Sequence, residues 1–99
     1  MSTPTAPVPV HLPEQSRFEV AEPEGTAVLA YALGNGEVVL QHTVVPAELE
    51  GRGIGTVLAR SALSWAASQH LAVVPECSFV QAFLDRHPEE VHVEVRPVG

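Results

Sequence analysis

The chain has 99 residues, with twelve acidic side chains against five basic ones, a formal net charge of −7 and 45% apolar residues. That size supports one domain with a single core, and the apolar content is that of a folded chain, not a disordered one. The acidic balance gives no field that would draw in DNA or RNA, and with no lysine a Walker A loop and Schiff-base chemistry are excluded.

Residues 1–15 carry prolines at 4, 7, 9 and 13 and predict an extended, mobile leader before a single domain spanning 16–96. The leader has no positively charged n-region and no apolar h-region, so a signal peptide is not expected. Arg17-Phe18-Glu19-Val20 alternates polar and apolar residues and predicts a strand, turned by Glu22-Pro23-Glu24-Gly25. Thr26 to Leu33 and Glu37 to Val45 predict two more strands. Gly34-Asn35-Gly36 lies between them as a hairpin signal, and Pro46 ends the third strand. Ile54, Leu58, Ala62, Trp65 and Ala66 recur at helical spacing and predict a helix over 53–70, widened by Ala59, Leu63 and Ala67.

A short strand over 71–74 follows, then a second helix over 79–86 that turns Val80, Phe83 and Leu84 inward. Val91 to Val95 alternates and predicts a last strand, which could pair with a second copy or end the sheet of a monomer. Three antiparallel strands followed by strand, helix and strand give an α+β layer: a mixed central sheet with helices packed on it. The helix joining two strands of one sheet requires local parallel pairing.

The scarce residue types remove further chemistry. Asp85 is the sole aspartate, so an EF-hand loop and a paired-aspartate site are excluded. Cys77 is alone, so no intramolecular disulfide forms, and a reducing cytoplasm is the expected compartment. Histidines 11, 42, 70, 87 and 92 form no HxxxH pair, and no metal site is expected. No apolar run reaches the ~18 residues of a membrane span.

The chemistry concentrates in Glu50-Gly51-Arg52-Gly53-Ile54-Gly55-Thr56, between the third strand and the main helix. Glycines let backbone N–H groups approach a bulky anion, and a helix N-terminus adds unpaired donors and partial positive charge, so the turn can seat a phosphate. Arg52 could add an ionic contact. The spacing departs from G-x-G-x-x-G, and a turn that merely aims the helix remains the alternative.

The segment Thr43 to Leu58 resembles the acetyl-CoA motif of GCN5-related N-acetyltransferases, Arg/Gln-x-x-Gly-x-Gly/Ala, mapping to positions 50, 53 and 55. Val73 to Val80 and Arg86-His87-Pro88-Glu89 resemble a small single-domain branch of that superfamily. The resemblance implies acetyl-CoA as co-substrate and an amine acceptor, either a small amine or a protein lysine. It implies that Val44 and Val45, at a splayed strand end, offer backbone groups to pantetheine, and that the amides of 51–56 take the pyrophosphate. It also sets Cys77 near the thioester, where a thiolate could carry acetyl or relay a proton; a small buried hydrophobe is the other reading.

Position 50 is Glu where the motif has Arg or Gln, position 44 is Val where small relatives often have Glu, and the only tyrosine is Tyr31, early in the chain. Glu50 and the absence of a late tyrosine favour a second reading, a CoA-binding or interaction module without catalysis. A third reading is a structural protein without a ligand. Six more polar or aromatic positions have both a bland and a functional reading. His42 could be a base, Glu48 could steer a cationic amine and Arg86 could reach phosphates, whereas Phe79, Phe83 and Trp65 read as core.

Overall fold

Two short turns set the register of the first half of the sheet. Glu22 opposes Gly25 across Pro23-Glu24, and Gly34 opposes Glu37 across Asn35-Gly36, where Gly36 takes φ +77°. Both are two-residue turns: Pro23 presets a negative φ in the first, and Gly36 supplies the positive φ of the second. The computed structural model describes residues 7–98. Its strands are β1 (Val10–Leu12), β2 (Arg17–Glu22), β3 (Gly25–Gly34), β4 (Glu37–Val44) and β5 (Ala72–Pro75). Helix α1 (Ile54–Ser68) joins β4 to β5, and α2 (Ser78–Arg86) follows β5.

The five strands lie in chain order, antiparallel from β1 to β4 and parallel between β4 and β5. This is the mixed α+β sheet expected from the sequence. No helix of the described residues is long and apolar enough to cross a membrane.

Alternation decides which face is covered. Phe18, Val20, Ala27, Leu29, Tyr31, Val38 and Leu40 point to one side, where they meet Ile54, Leu58, Ala62 and Ala66 of α1 and Val80 and Phe83 of α2 in one buried cluster. Ala59 and Leu63 complete the helical stripe. Trp65 is only half-buried and packs against the rim of this core. On β3 and β4 the pairing slips: Tyr31 opposes Leu40, but Ala30 opposes His42, so Gln41 is an extra residue that bends β4.

Two expectations need correction at the chain ends. The sheet begins inside the expected 1–15 leader: Val10 opposes Glu19 and Leu12 opposes Arg17, while residues 1–6 lie outside the described residues. Prolines 9 and 13 flank this strand without interrupting it. Pro13–Gln15 then forms a 3-10 turn in which the Ser16 amide donates to the Pro13 carbonyl at 3.1 Å. At the other end, 91–95 forms no full strand. It makes one bridge, Val73 to Val95, in which the Val73 amide donates to the Glu94 carbonyl and the Arg96 amide donates to the Val73 carbonyl, both at 2.8 Å. Pro97 has no N–H with which to extend that ladder.

Leu29, fully buried on the central strand, is expected to carry a large share of the packing. Leu29→Ala should cost about 2–5 kcal/mol through lost transfer energy and an unfilled cavity. Urea denaturation followed by circular dichroism should show a lower midpoint at unchanged slope.

Candidate functional site

β4 and β5 run side by side only from the Glu37–Ala72 pair to the Leu40–Pro75 pair. The last link is the Cys77 amide donating to the Leu40 carbonyl at 3.0 Å. Beyond it, the Gln41 bulge bends β4 one way while the chain after Pro75 enters α2. The strands part, and the edge of β4 after Leu40 has no parallel partner. A cavity of about 400 Å³ opens at this point, walled by Thr43, Val45 and Leu49, by the glycine turn from Glu50 to Thr56 without Arg52, and by Phe79.

The glycine turn presents α1 end-on to this cavity. Gly51 and Gly53 take φ +82° and +75°, the left-handed region where a side chain is strained. Gly53 caps the helix with no side-chain hydrogen bond, and no acidic residue stands in the first turn. The first amides with a helical partner begin at Val57, which donates to the Gly53 carbonyl at 3.1 Å. The N–H groups of Ile54, Gly55 and Thr56 therefore have no intrahelical acceptor, and they sit at the positive end of the helix dipole. Donors of this kind fit an anion such as a phosphate.

Gly55 has a different reason to be glycine. A Cβ there would lie 2.6 Å from Cζ of Phe79, so the ring can rest against the α1 backbone only because no side chain intervenes. Phe79, expected in the core, is instead 40% exposed and forms a wall of the cavity. Its place one residue past the start of α2 turns it toward α1, whereas Val80 and Phe83 take the inward positions.

Cys77 is buried and caps α2, and its carbonyl accepts from the Gln81 amide at 3.0 Å. Its Sγ lies 3.3 Å from Oγ1 of Thr43, so a thiol and a hydroxyl meet where the strands separate. Thr43 was not singled out in the sequence. Its signal was the alternation with Val45, which sets both side chains on the cavity side of β4.

The remaining candidates divide plainly. Val45, Glu50, Gly51, Gly53, Ile54, Gly55 and Thr56 are brought together around the cavity. Val44 opposes Val28, and its side chain is exposed outside the lining. Arg52 reaches Glu24 on the β2–β3 turn in a two-pronged, exposed pair at 3.0 and 3.4 Å, and its guanidinium does not line the cavity. That hydrogen-bonded pairing raises the Arg52 pKa and holds Glu24 below the usual carboxylate range. His42 and Glu48 are exposed outside the cavity lining. Arg86 ends α2, about 12 Å along the helix from its start. His87, Glu89 and Glu90 converge on one another, but both Glu90 oxygens already accept from Arg60, at 2.6 and 3.0 Å.

A family model described as GCN5-related N-acetyl-transferase matches residues 17–93, from β2 to the segment just before the closing bridge. The chain belongs to that family. Over 69 residues it is 38% identical to protein NATD1 of Bos taurus and 36% identical to protein NATD1 of Homo sapiens. Each alignment covers 69% of this chain and 61% of the relative, so the chain matches about three-fifths of the length of these proteins. The fold is that of the solution NMR structure of a GCN5-like protein from Staphylococcus aureus, with a TM-score of 0.71 at 20% identity. That superposition covers 96% of this chain and 93% of the other.

Gly55→Ala should displace the half-exposed Phe79 ring at a net cost of no more than about 1 kcal/mol, because alanine favours the helix by a similar amount. In the background of Phe79→Ala the same alanine should be stabilising, because the clash is removed with the ring. Thermal unfolding of the two single variants and the double variant measures this coupling.

Proposed function

We propose that this chain is an acetyl-CoA-dependent N-acetyltransferase that transfers acetyl to an amine. The observation that carries the reading is the conjunction of two features at one cavity: the parting of β4 from β5, and the uncapped, acid-free N-terminus of α1. The first gives an extended ligand arm a free strand edge. The second gives its phosphates backbone donors.

Acetyl-CoA brings an activated thioester, and the chain's part is to hold it and admit the amine. In this reading the amides of 54–56 and the glycine turn take the pyrophosphate. The backbone of Val44 and Val45 lies along the arm, and Phe79 covers its apolar stretch. Thr43 and Cys77, at the inner end, stand nearest the reacting carbonyl, where the thiol can relay a proton or accept acetyl before passing it on. Orientation supplies most of the rate, since direct transfer asks only for a deprotonated amine in line with the thioester. A net charge of −7 favours a cationic acceptor, a small amine or a lysine side chain.

Calorimetric titration of the wild type with acetyl-CoA and with CoA should give saturable binding. Gly53→Val, folded by circular dichroism, should weaken it at least tenfold, because the turn that aims the donors is strained. Arg52→Ala should leave it within about twofold, since that guanidinium is engaged by Glu24. Absence of binding at millimolar ligand would overturn the reading.

Glu50 supports a second reading, a CoA-binding module without catalysis, because it sets a carboxylate at the mouth where the family motif has Arg or Gln. An acceptor screen on wild type and Cys77→Ala separates the two. Turnover lost in the variant with binding retained assigns the thiol to transfer, whereas binding without turnover on any amine favours the module.

A further inference from the structure

β1 is three residues long, and one side chain fastens it. Val10 is half exposed, but the His11 ring lies flat on Phe18, with centroids 4.2 Å apart and planes 7° apart. The same ring meets Trp65 edge-on at 4.7 Å and shares a 2.6 Å hydrogen bond with the Tyr31 hydroxyl. His11 thereby ties the edge strand to β2, β3 and α1 at once. Nothing in the GCN5-related family match requires this contact, since the matched residues begin at 17.

The surroundings of the ring suit a neutral imidazole. From β3 it faces Tyr31, and from β2 it faces Phe18, whose neighbours Arg17 and Glu19 point to the opposite side of the sheet. From α1 it faces Trp65, and Arg60 lines the same cavity of about 530 Å³. No carboxylate lines that cavity among the described residues. Arg60 is itself paired with Glu90, at 2.6 and 3.0 Å, so an imidazolium there would lose water and gain no anion, with only the aromatic faces in partial return. Burial accordingly holds the His11 pKa below its ordinary value and pushes that of Tyr31 up.

We propose that His11 makes the docking of β1 a proton-sensitive clasp: the neutral ring fastens β1 to the sheet and α1, and the protonated ring releases it. The sign follows from linkage. A docked pKa below the free one means docking is strongest above the free value, about 6.5, and weakens as pH falls toward the docked value. The loss is at most about tenfold per pH unit and levels off below the docked value.

The test is amide hydrogen exchange by NMR at pH 7 and pH 5, corrected for intrinsic rates, on the full chain. In the wild type, protection of the β1–β2 ladder should fall several-fold at pH 5 while β3–β4 amides stay protected. His11→Phe keeps the stack and removes the proton, so its β1 protection should not change between the two values. His11→Gln serves the same purpose if the phenylalanine variant does not fold. Trp65 is the only tryptophan, and its fluorescence should titrate with a midpoint below 6.5 in the wild type and not in either variant. Equal β1 protection at both pH values, an equal fall in the variants, loss of β3–β4 protection together with β1, or a midpoint at or above 6.5 would each overturn the clasp.

Discussion

The separation of β4 from β5 after four paired positions is the constraint on which the rest of this molecule depends. A parallel pair that continued would bury its own polar edge and leave no room between the strands. Here the extra residue Gln41 bends β4, and Pro75, with no N–H to give, ends the ladder on β5. The Cys77 amide closes the paired part by donating to Leu40, and the same residue opens α2. One short stretch thus ends the sheet, starts a helix and sets a thiol 3.3 Å from the Thr43 hydroxyl.

The electrostatics of the cavity mouth are a contest between a fixed partial charge and full charges. The N-terminus of α1 offers roughly half a positive charge together with unpaired donors, focused over a few ångströms. Glu50 opposes it with a carboxylate that is exposed and therefore well screened. Arg52 would reinforce the helix terminus but is turned to Glu24. An anion here would thus be held mainly by directed backbone N–H groups, whose aim depends on the left-handed φ of Gly51 and Gly53. Backbone donors act through direction more than through net charge, which reconciles an anion seat with a strongly acidic chain.

Much of this was legible along the chain because it is local. Asn35-Gly36 and Pro23-Glu24 specify turns through their own backbone preferences, and the 3.6-residue recurrence from Ile54 to Ala66 specifies a helix and its buried face. The glycine turn was legible for the same reason. The elements misread lie where distant residues decide. Val10–Leu12 has little to commend it as a strand until Phe18, Tyr31 and Trp65 gather around His11. The alternation of 91–95 suggested a full strand, but one bridge to Val73 is all that the turn at Pro88–Glu90 and the proline at 97 allow. Phe79 looked like core because aromatic residues usually are; its exposure follows from the approach of α2 to Gly55, a contact across 24 positions.

The sequence by itself determined the class of the fold, the strand–helix–strand unit that requires a parallel pair, and a helix entered through glycines, since each follows from periodicity or from the φ preferences of single residues. Only the tertiary structure decided that Arg52 is tied to Glu24, that Thr43 meets Cys77, that Phe79 walls the cavity and that His11 anchors the first strand. Each of these is a contact between residues far apart in the chain. Its existence depends on how sheet and helices are arranged in three dimensions, and neither spacing nor composition encodes that arrangement at the level of single side chains.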